Sequence, residues 1–240
     1  MVDDGYSKYS VELSRVYTTI VPTRPSNPYI SETLQSIKNQ TLPPSRVLVI
    51  INGVSTEPEN AAIDAENSFP AAEIHHISDA GLVPALRYAL RLCVSGYVAF
   101  LDADDLWTPE KAEAQIDILE SDRSIDVVYG GVQNFYGPSM KPHYESSLVI
   151  SRLFSASTFR MSAFRKNGPP AKEDNHFNYL YRWWGRAHQS GVQTQAHNET
   201  VLFRRVHKNN GWVTQPASGM SILFSELRSM SSKPNRPENE

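Results

Sequence analysis

Residues 100–109, Phe-Leu-Asp-Ala-Asp-Asp-Leu-Trp-Thr-Pro, carry an apolar run directly into three carboxylates, Asp102, Asp104 and Asp105. Side chains alternate along an extended chain, so Asp102 and Asp104 share one side while Ala103 points back. Two carboxylates on one side of a sheet's carboxyl edge repel each other unless positive charge sits between them. A hard divalent cation, Mg2+ or Mn2+, itself carrying a diphosphate, meets that requirement. The carboxyl ends of strands are also where open α/β sheets bind ligands. The competing reading is that acids ahead of a proline simply cap the next helix, so the rest of the chain has to decide. A second acid pair, Glu173-Asp174, precedes an apolar helical pattern of Phe177, Leu180, Tyr181 and Trp184. Such a pair can simply complement a helix dipole. Arg204-Arg205-Val206-His207 follows an apolar strand at 200–203. The two arginines suit a diphosphate electrostatically, or pair with acids. A neutral His207 imidazole can bind a metal, and a protonated one can donate to a diphosphate.

The elements that must position these groups alternate regularly. Residues 16–21 read as a β-branched strand, and Asn27-Pro28 opens a helix with Ile30, Leu34 and Ile37 on one face. After Pro43-Pro44, residues 46–51 (RVLVII) read as a buried strand. A polar helix is expected over 57–68, a short strand over 73–77, and a helix marked by Leu82, Leu86, Leu90 and Cys93. The strand 97–101 follows, then a helix capped by Thr108-Pro109 with Ala112, Ile116 and Leu119 inward, then a strand over 126–129. That βαβαβαβαβ order predicts a mostly parallel central sheet flanked by helices. Beyond Gly130 the alternation gives way to Gly, Pro, Ser and aromatic residues, an elaboration of the same sheet. The expected organisation is a tail over 1–14, one domain with halves 15–130 and 131–230, and a disordered tail over 231–240.

Composition narrows the class. The 240 residues carry a formal net charge of −3, with 40% hydrophobic and 20% charged residues, as in an ordinary globular protein. No dense Lys/Arg run is present, which argues against nucleic acid as a partner. The single cysteine, Cys93, excludes an internal disulfide and lies in an apolar pattern. No apolar run approaches the roughly 20 residues of a membrane span. The first 14 residues, with Asp3 and Asp4, do not read as a signal peptide. A cytoplasmic location is therefore expected. Neither a Gly-x-Gly-x-x-Gly turn nor a Gly-Lys-Ser/Thr phosphate loop occurs, and the turn after the first strand (PTRPSN) has no glycine. Phosphate binding must then rest on metal and side chains.

The segments TTIVPTRPSNPYISETLQSIKNQT, RVLVIINGVST, ISDAGLVPALRYAL, GYVAFLDADDLWTPEK, SASTFRMSAFRKNG, KEDNHFNYLYRWW and FRRVHKNNGW resemble, in order and spacing, inverting glycosyltransferases of family 2. The resemblance covers residues 17–212 and implies the GT-A fold, with a nucleotide-sugar-binding first half and an acceptor-side second half. It places Pro22, Thr23 and Arg24 under the nucleoside. It sets Asn52 where the family usually carries an acid that reads the base edge; an amide can both donate and accept there. Gly81 allows close backbone approach to the donor ahead of a helix N-terminus. Arg87 replaces a usual amide and could contact ribose or diphosphate, or form a structural ion pair. Asp102-Ala103-Asp104 matches the family's Asp-x-Asp, with Asp104 on the divalent cation and Asp102 on the ribose or a metal-bound water. Asp105 is expected to fix the turn and Trp107 to pack under the loop. Asp174 takes the place of the base that deprotonates the acceptor, and a histidine at position 207 fits a second metal ligand. Trp183 and Trp212 are the expected acceptor-side aromatics, with Tyr181 and Trp184 mainly core.

The implied function is transfer of a sugar from a nucleotide-diphospho-sugar, UDP-linked first, to a glycan, lipid-linked or small-molecule acceptor, with Mn2+ or Mg2+ as cofactor. A non-catalytic sugar-nucleotide-binding or scaffold subunit is the alternative. Oligomeric state is not legible.

Overall fold

The computed structural model describes residues 15–54, 60–136, 147–176 and 178–207. The expected tails, Phe177 and Trp212 lie outside them. Among the described residues the strands are β1 (Tyr17–Thr23), β2 (Arg46–Asn52), β3 (Glu73–Ile77), β4 (Tyr97–Phe100), β5 (Leu106–Trp107), β6 (Val127–Tyr136), β7 (Val149–Ile150), β8 (Ser157–Arg160) and β9 (Thr194–Val206). The helices are α1 (Ile30–Lys38), α2 (Ala61–Ser68), α3 (Leu82–Leu92), α4 (Lys111–Ser121), α5 (Met161–Asn167) and α6 (Tyr179–Gln189). One mixed sheet runs β3-β2-β1-β4-β8-β6-β9-β5, with β7 on β6. Strands β3, β2, β1 and β4 are parallel, β8 is antiparallel to β4 and β6, and β9 runs parallel to β6.

Alternation along the strands sends side chains to two cores. Tyr17 and Val21 of β1 and Val47, Val49 and Ile51 of β2 pack with Ile30, Leu34 and Ile37 of α1 and Ala112, Ile116 and Leu119 of α4. Ile20, Leu48, Ile50, Val98 and Phe100 pack on the other face with Val83, Leu86 and Ala89 of α3 and with Phe159, Phe164 and Trp183. A sheet covered on both faces needs apolar residues at nearly every strand position, which is why RVLVII reads as a continuous run.

Several expected boundaries move. The helix expected over 57–68 is helical from Ala61, and the strand expected over 126–129 continues as β6 to Tyr136. Thr108 does not cap α4 with its side chain: its hydroxyl donates to the Thr200 carbonyl at 3.2 Å, holding β9. On α6 the fully buried aromatic is Trp183, while Trp184 is half-buried with its indole N–H donating to the Arg152 carbonyl at 2.8 Å. Trp183 is therefore core and not acceptor surface. Helical phase sends Tyr179, Trp183 and Ala187, at i, i+4 and i+8, inward.

Lys111, the first residue of α4, is 1% exposed. Its ammonium donates to the Ser157 carbonyl at 3.0 Å and the Thr158 hydroxyl at 2.9 Å, and lies 4.1 Å above the Trp107 ring. Burial pushes its pKa well below the ordinary lysine value. Between that lowered value and the unfolded one near ~10.4, the unfolded chain binds the extra proton, so stability rises with pH across that window. Lys111→Met should remove this contribution. The wild-type minus variant difference in unfolding free energy should grow as pH is raised toward ~10. A pH-independent difference in denaturant titrations would refute a perturbed Lys111.

Candidate active site

The turn after β4 concentrates negative charge at the carboxyl edge of the sheet. Burial, then the neighbouring Asp104 charge, pushes the Asp102 carboxyl up to about 6, opposed by the Arg204 charge and the Ser155 hydroxyl. Ser155, itself buried, donates to Asp102 Oδ2 at 3.3 Å, and its carbonyl accepts the Trp107 indole N–H at 2.8 Å. Asp105 is buried and turned the other way. Its Oδ1 accepts the backbone N–H of Arg205 at 2.8 Å, and burial with the Asp104 and Asp102 charges raises its pKa well above the usual carboxylate range. Asp105 thus fixes the turn. Ala103 is 5% exposed and packs into the core beneath it.

Strand β9 closes the site from the far end of the sequence. Arg205 is 4% exposed. Its Nε donates to the Asp104 carbonyl at 2.9 Å and its Nη2 to Glu32 of α1 at 2.7 Å. Its guanidinium carbon lies 4.4 Å from the Tyr29 ring centroid and 4.5 Å from that of Phe135. Two residues on, His207 Nε2 is 2.9 Å from Asp104 Oδ2, and its ring centroid is 5.0 Å from that of Tyr29. Of the arginine pair, Arg205 is committed to Glu32 and the turn, whereas the Arg204 charge acts on Asp102 and Asp105.

The Asp104–His207 pair fits a divalent cation. Two ligands on adjacent vertices of an octahedral ion, each about 2.1 Å from it, lie about 3 Å apart. A proton shared along the pair and a cation held beside both atoms answer the same electrostatic demand. Among the described residues no group of three or more His, Cys, Asp or Glu side chains could hold a metal ion. Mg2+-type sites are commonly completed by substrate phosphates and water.

The donor-side residues form a hydrogen-bonded chain at the ends of β1 and β2. Asn52, 8% exposed, donates through Nδ2 to the Thr23 carbonyl at 2.8 Å and accepts the Gly81 N–H on Oδ1 at 2.8 Å. Gly81 has φ 115, a conformation that favours glycine, and starts α3. Pro22 and Thr23 are buried, and Arg24 is exposed just beyond them. Arg87 is engaged elsewhere: its Nη1 donates to the Pro170 carbonyl at 2.6 Å.

Asp174 sits in the turn ahead of α6, not in its first helical turn, because that helix starts at Tyr179 behind an Asn178 N-cap. Its stabilisation is therefore not a helix-dipole effect. Oδ2 accepts the Ala171 N–H at 2.8 Å, Oδ1 accepts from Arg182 at 3.0 Å, and Arg186 Nη1 lies 3.6 Å from Oδ2. The side chain has 0% exposure, packed against the Ala171 N–H and the two arginines. Glu173 is exposed. Tyr179 brings α6 to the acidic turn: burial and the Asp102 charge raise its pKa. Sequence reasoning had no signal for Ser155 or Glu32. The i, i+4 spacing of Arg182 and Arg186 was a readable one for a shared partner.

The family model for glycosyl transferase family 2 matches residues 18–187, and the chain belongs to that family. It is 27% identical over 173 residues to the UDP-Gal:alpha-D-GlcNAc-diphosphoundecaprenol beta-1,3-galactosyltransferase of Escherichia coli, covering 69% of this chain and 61% of the relative. The chain thus spans about three fifths of that relative's length. Among solved structures, mannosyltransferase PcManGT from Pyrobaculum calidifontis in complex with GDP-Man and Mn2+ superposes with a TM-score of 0.65 at 19% identity, over 92% of this chain and 65% of that one. S. aureus TarS 1-349 in complex with UDP-GlcNAc gives 0.59 at 15% identity, over 81% and 60%. The fold is the GT-A fold.

Arg205→Met keeps the apolar stem but removes two hydrogen bonds and the stacking on Tyr29 and Phe135. It should cost about 2 kcal/mol, read as a lower urea midpoint at unchanged slope. An unchanged midpoint would show that β9 is held without this side chain.

Proposed function

We propose that the chain is a metal-dependent, inverting glycosyltransferase that moves a sugar from a nucleotide-diphospho-sugar to an acceptor hydroxyl. The carrying observation is the pairing of Asp104 with His207 at 2.9 Å beside Asp102 at the carboxyl edge of the sheet, two ligand atoms spaced as neighbours on one cation would be. A UDP-sugar is the first donor to test, since the E. coli relative is named for UDP-Gal and TarS binds UDP-GlcNAc; PcManGT with GDP-Man keeps guanosine in view. PcManGT's Mn2+ supports the metal, and the diphosphoundecaprenol acceptor in the relative's name supports a lipid-linked glycan acceptor. This reading places the chain in glycan assembly. No helix among the described residues is long and apolar enough to cross a membrane.

Asp104 and His207 would hold the cation, which when bound neutralises charge on the departing diphosphate. Asp102 orients the donor, held by Ser155. Thr23, Asn52 and Gly81 shape the nucleoside end. Asp174 accepts the proton of the acceptor hydroxyl as its oxygen bonds to the anomeric carbon; the bond from that carbon to the diphosphate breaks, and the diphosphate keeps the electron pair. A carboxylate oxygen that already accepts one hydrogen bond retains a lone pair for the incoming proton.

The covering of Asp174 by Arg182 and Arg186 favours a second reading, a sugar-nucleotide-binding subunit without turnover. A thermal-shift panel of UDP-, GDP- and dTDP-sugars with Mn2+ or EDTA, followed by donor turnover with and without acceptors, separates the two. Under the catalytic reading one nucleotide gives a metal-dependent rise in Tm that Asp104→Asn abolishes. Asp174→Asn should leave that rise intact and remove at least ~10²-fold of transfer. Near wild-type transfer in Asp174→Asn would remove it from the role of base, and binding without any turnover would favour the subunit.

A further inference from the structure

Arg87 stands at a position that the family resemblance directs toward the donor, yet its guanidinium reaches 2.6 Å to the carbonyl of Pro170, on the loop that carries Asp174. We propose that Arg87 is a positioning residue for Asp174: it braces the 168–174 loop against α3 and so places the base relative to the donor. The inference rests on the base role given to Asp174 above.

The loop is tied to the acceptor half by other contacts. The Trp183 indole N–H donates to the Gly168 carbonyl at 2.9 Å, the Asn167 amide donates to the Trp183 carbonyl at 3.0 Å, and Arg186 Nη2 reaches the Pro169 carbonyl at 3.5 Å. The Gly168 and Pro169 contacts anchor it to α6, and the Asn167 bond ties the end of α5, from which the loop leaves, to the same helix. Arg87 supplies a tie from α3, a helix whose start is itself set by the donor-side chain of Thr23, Asn52 and Gly81. Pro169 and Pro170 have no N–H and fixed φ, so this part of the loop is held through its carbonyls. One residue beyond Pro170, the Ala171 N–H donates to Asp174 Oδ2 and the Ala171 carbonyl accepts the Asp174 N–H at 3.1 Å. Movement of Pro170 is thereby passed to the carboxylate through a single intervening residue. A planar guanidinium offers several donors and keeps its charge, which suits a carbonyl brace.

The test compares Arg87→Gln and Arg87→Lys with the wild type in three measurements. Hydrogen–deuterium exchange at the Ala171 and Asp174 amides should quicken about tenfold in Arg87→Gln, as expected for loss of a charge-assisted hydrogen bond. Binding of UDP and of GDP, each with Mn2+, should stay within about twofold. Transfer kcat should fall at least about tenfold, and up to about 10²-fold for a displacement near 1 Å, with donor KM unchanged. Arg87→Lys, whose ammonium can also donate to a carbonyl, should recover most of that loss. Weaker nucleotide binding with unchanged exchange at Ala171 and Asp174 would overturn the inference and make Arg87 a donor ligand. Quickened exchange with undiminished kcat would also overturn it, leaving a purely structural contact. A wild type that binds and turns over no donor overturns the reading underneath instead; unchanged exchange in that case removes the brace as well.

Discussion

Three carboxylates in four residues at the end of a buried strand repel one another, and the way the chain meets that repulsion organises the site. The three are answered separately. Asp105 is turned inward and given the Arg205 backbone N–H, Asp104 is given His207, and Asp102 is given the Ser155 hydroxyl and the Arg204 field. Each of the three draws on residues 204–207, on β9 or just past its end, about a hundred residues later in sequence. Strand β9 reaches the turn because it runs parallel to β6 along its length and pairs with β5 at Leu106 and Trp107. The position of the acidic turn is therefore a property of the whole sheet.

The same sheet separates two kinds of support. At the ends of β1 and β2, support is a chain of neutral hydrogen bonds from Thr23 through Asn52 to Gly81. Both functional groups of the Asn52 side chain are engaged in holding three segments in register. An acid at this position would lack the N–H that reaches the Thr23 carbonyl, so the amide has a structural reason whatever it does to a base. On the other side, support is ionic and aromatic: arginines on carbonyls and carboxylates, and a cluster in which Phe154 packs edge-on to both Tyr179 and Trp183.

Much of this was legible in the chain. The parallel half of the sheet follows from apolar runs bounded by Asn-Pro and Pro-Pro, because buried strands and amphipathic helices write different periods. The acidic turn follows from its position at the end of such a run. What stayed hidden depended on long-range pairing or on phase. Trp183 and Trp184 are adjacent aromatics, and anchoring the helix on Phe177 and Tyr181 puts the wrong one outward; anchoring on Tyr179 and Ala187 puts Trp183 in the core, as found. Asp174 looked like a first-turn acid because the apolar pattern continues back toward it, but Asn178 starts the helix later. Arg87 sits in an amphipathic helix and gives no sign locally that a carbonyl 83 residues away is its partner.

The two ends of the candidate site hold their carboxylates in different ways. At the acidic turn, Asp102, Asp104 and Asp105 face Arg204, while the Arg205 side chain is already matched by Glu32. Negative charge is in excess there, and burial raises Asp102 and Asp105 toward their neutral forms. A cation would reverse that tendency, since it favours the ionised forms of all three acids. At Asp174 one carboxylate is shared by Arg182 and Arg186, each with a side chain about a third exposed. The arginine pair gives this buried carboxylate its countercharge. The acidic end is short of positive charge, while Asp174 already has its countercharge in place, so an added cation has its electrostatic reason at the acidic turn and not at Asp174.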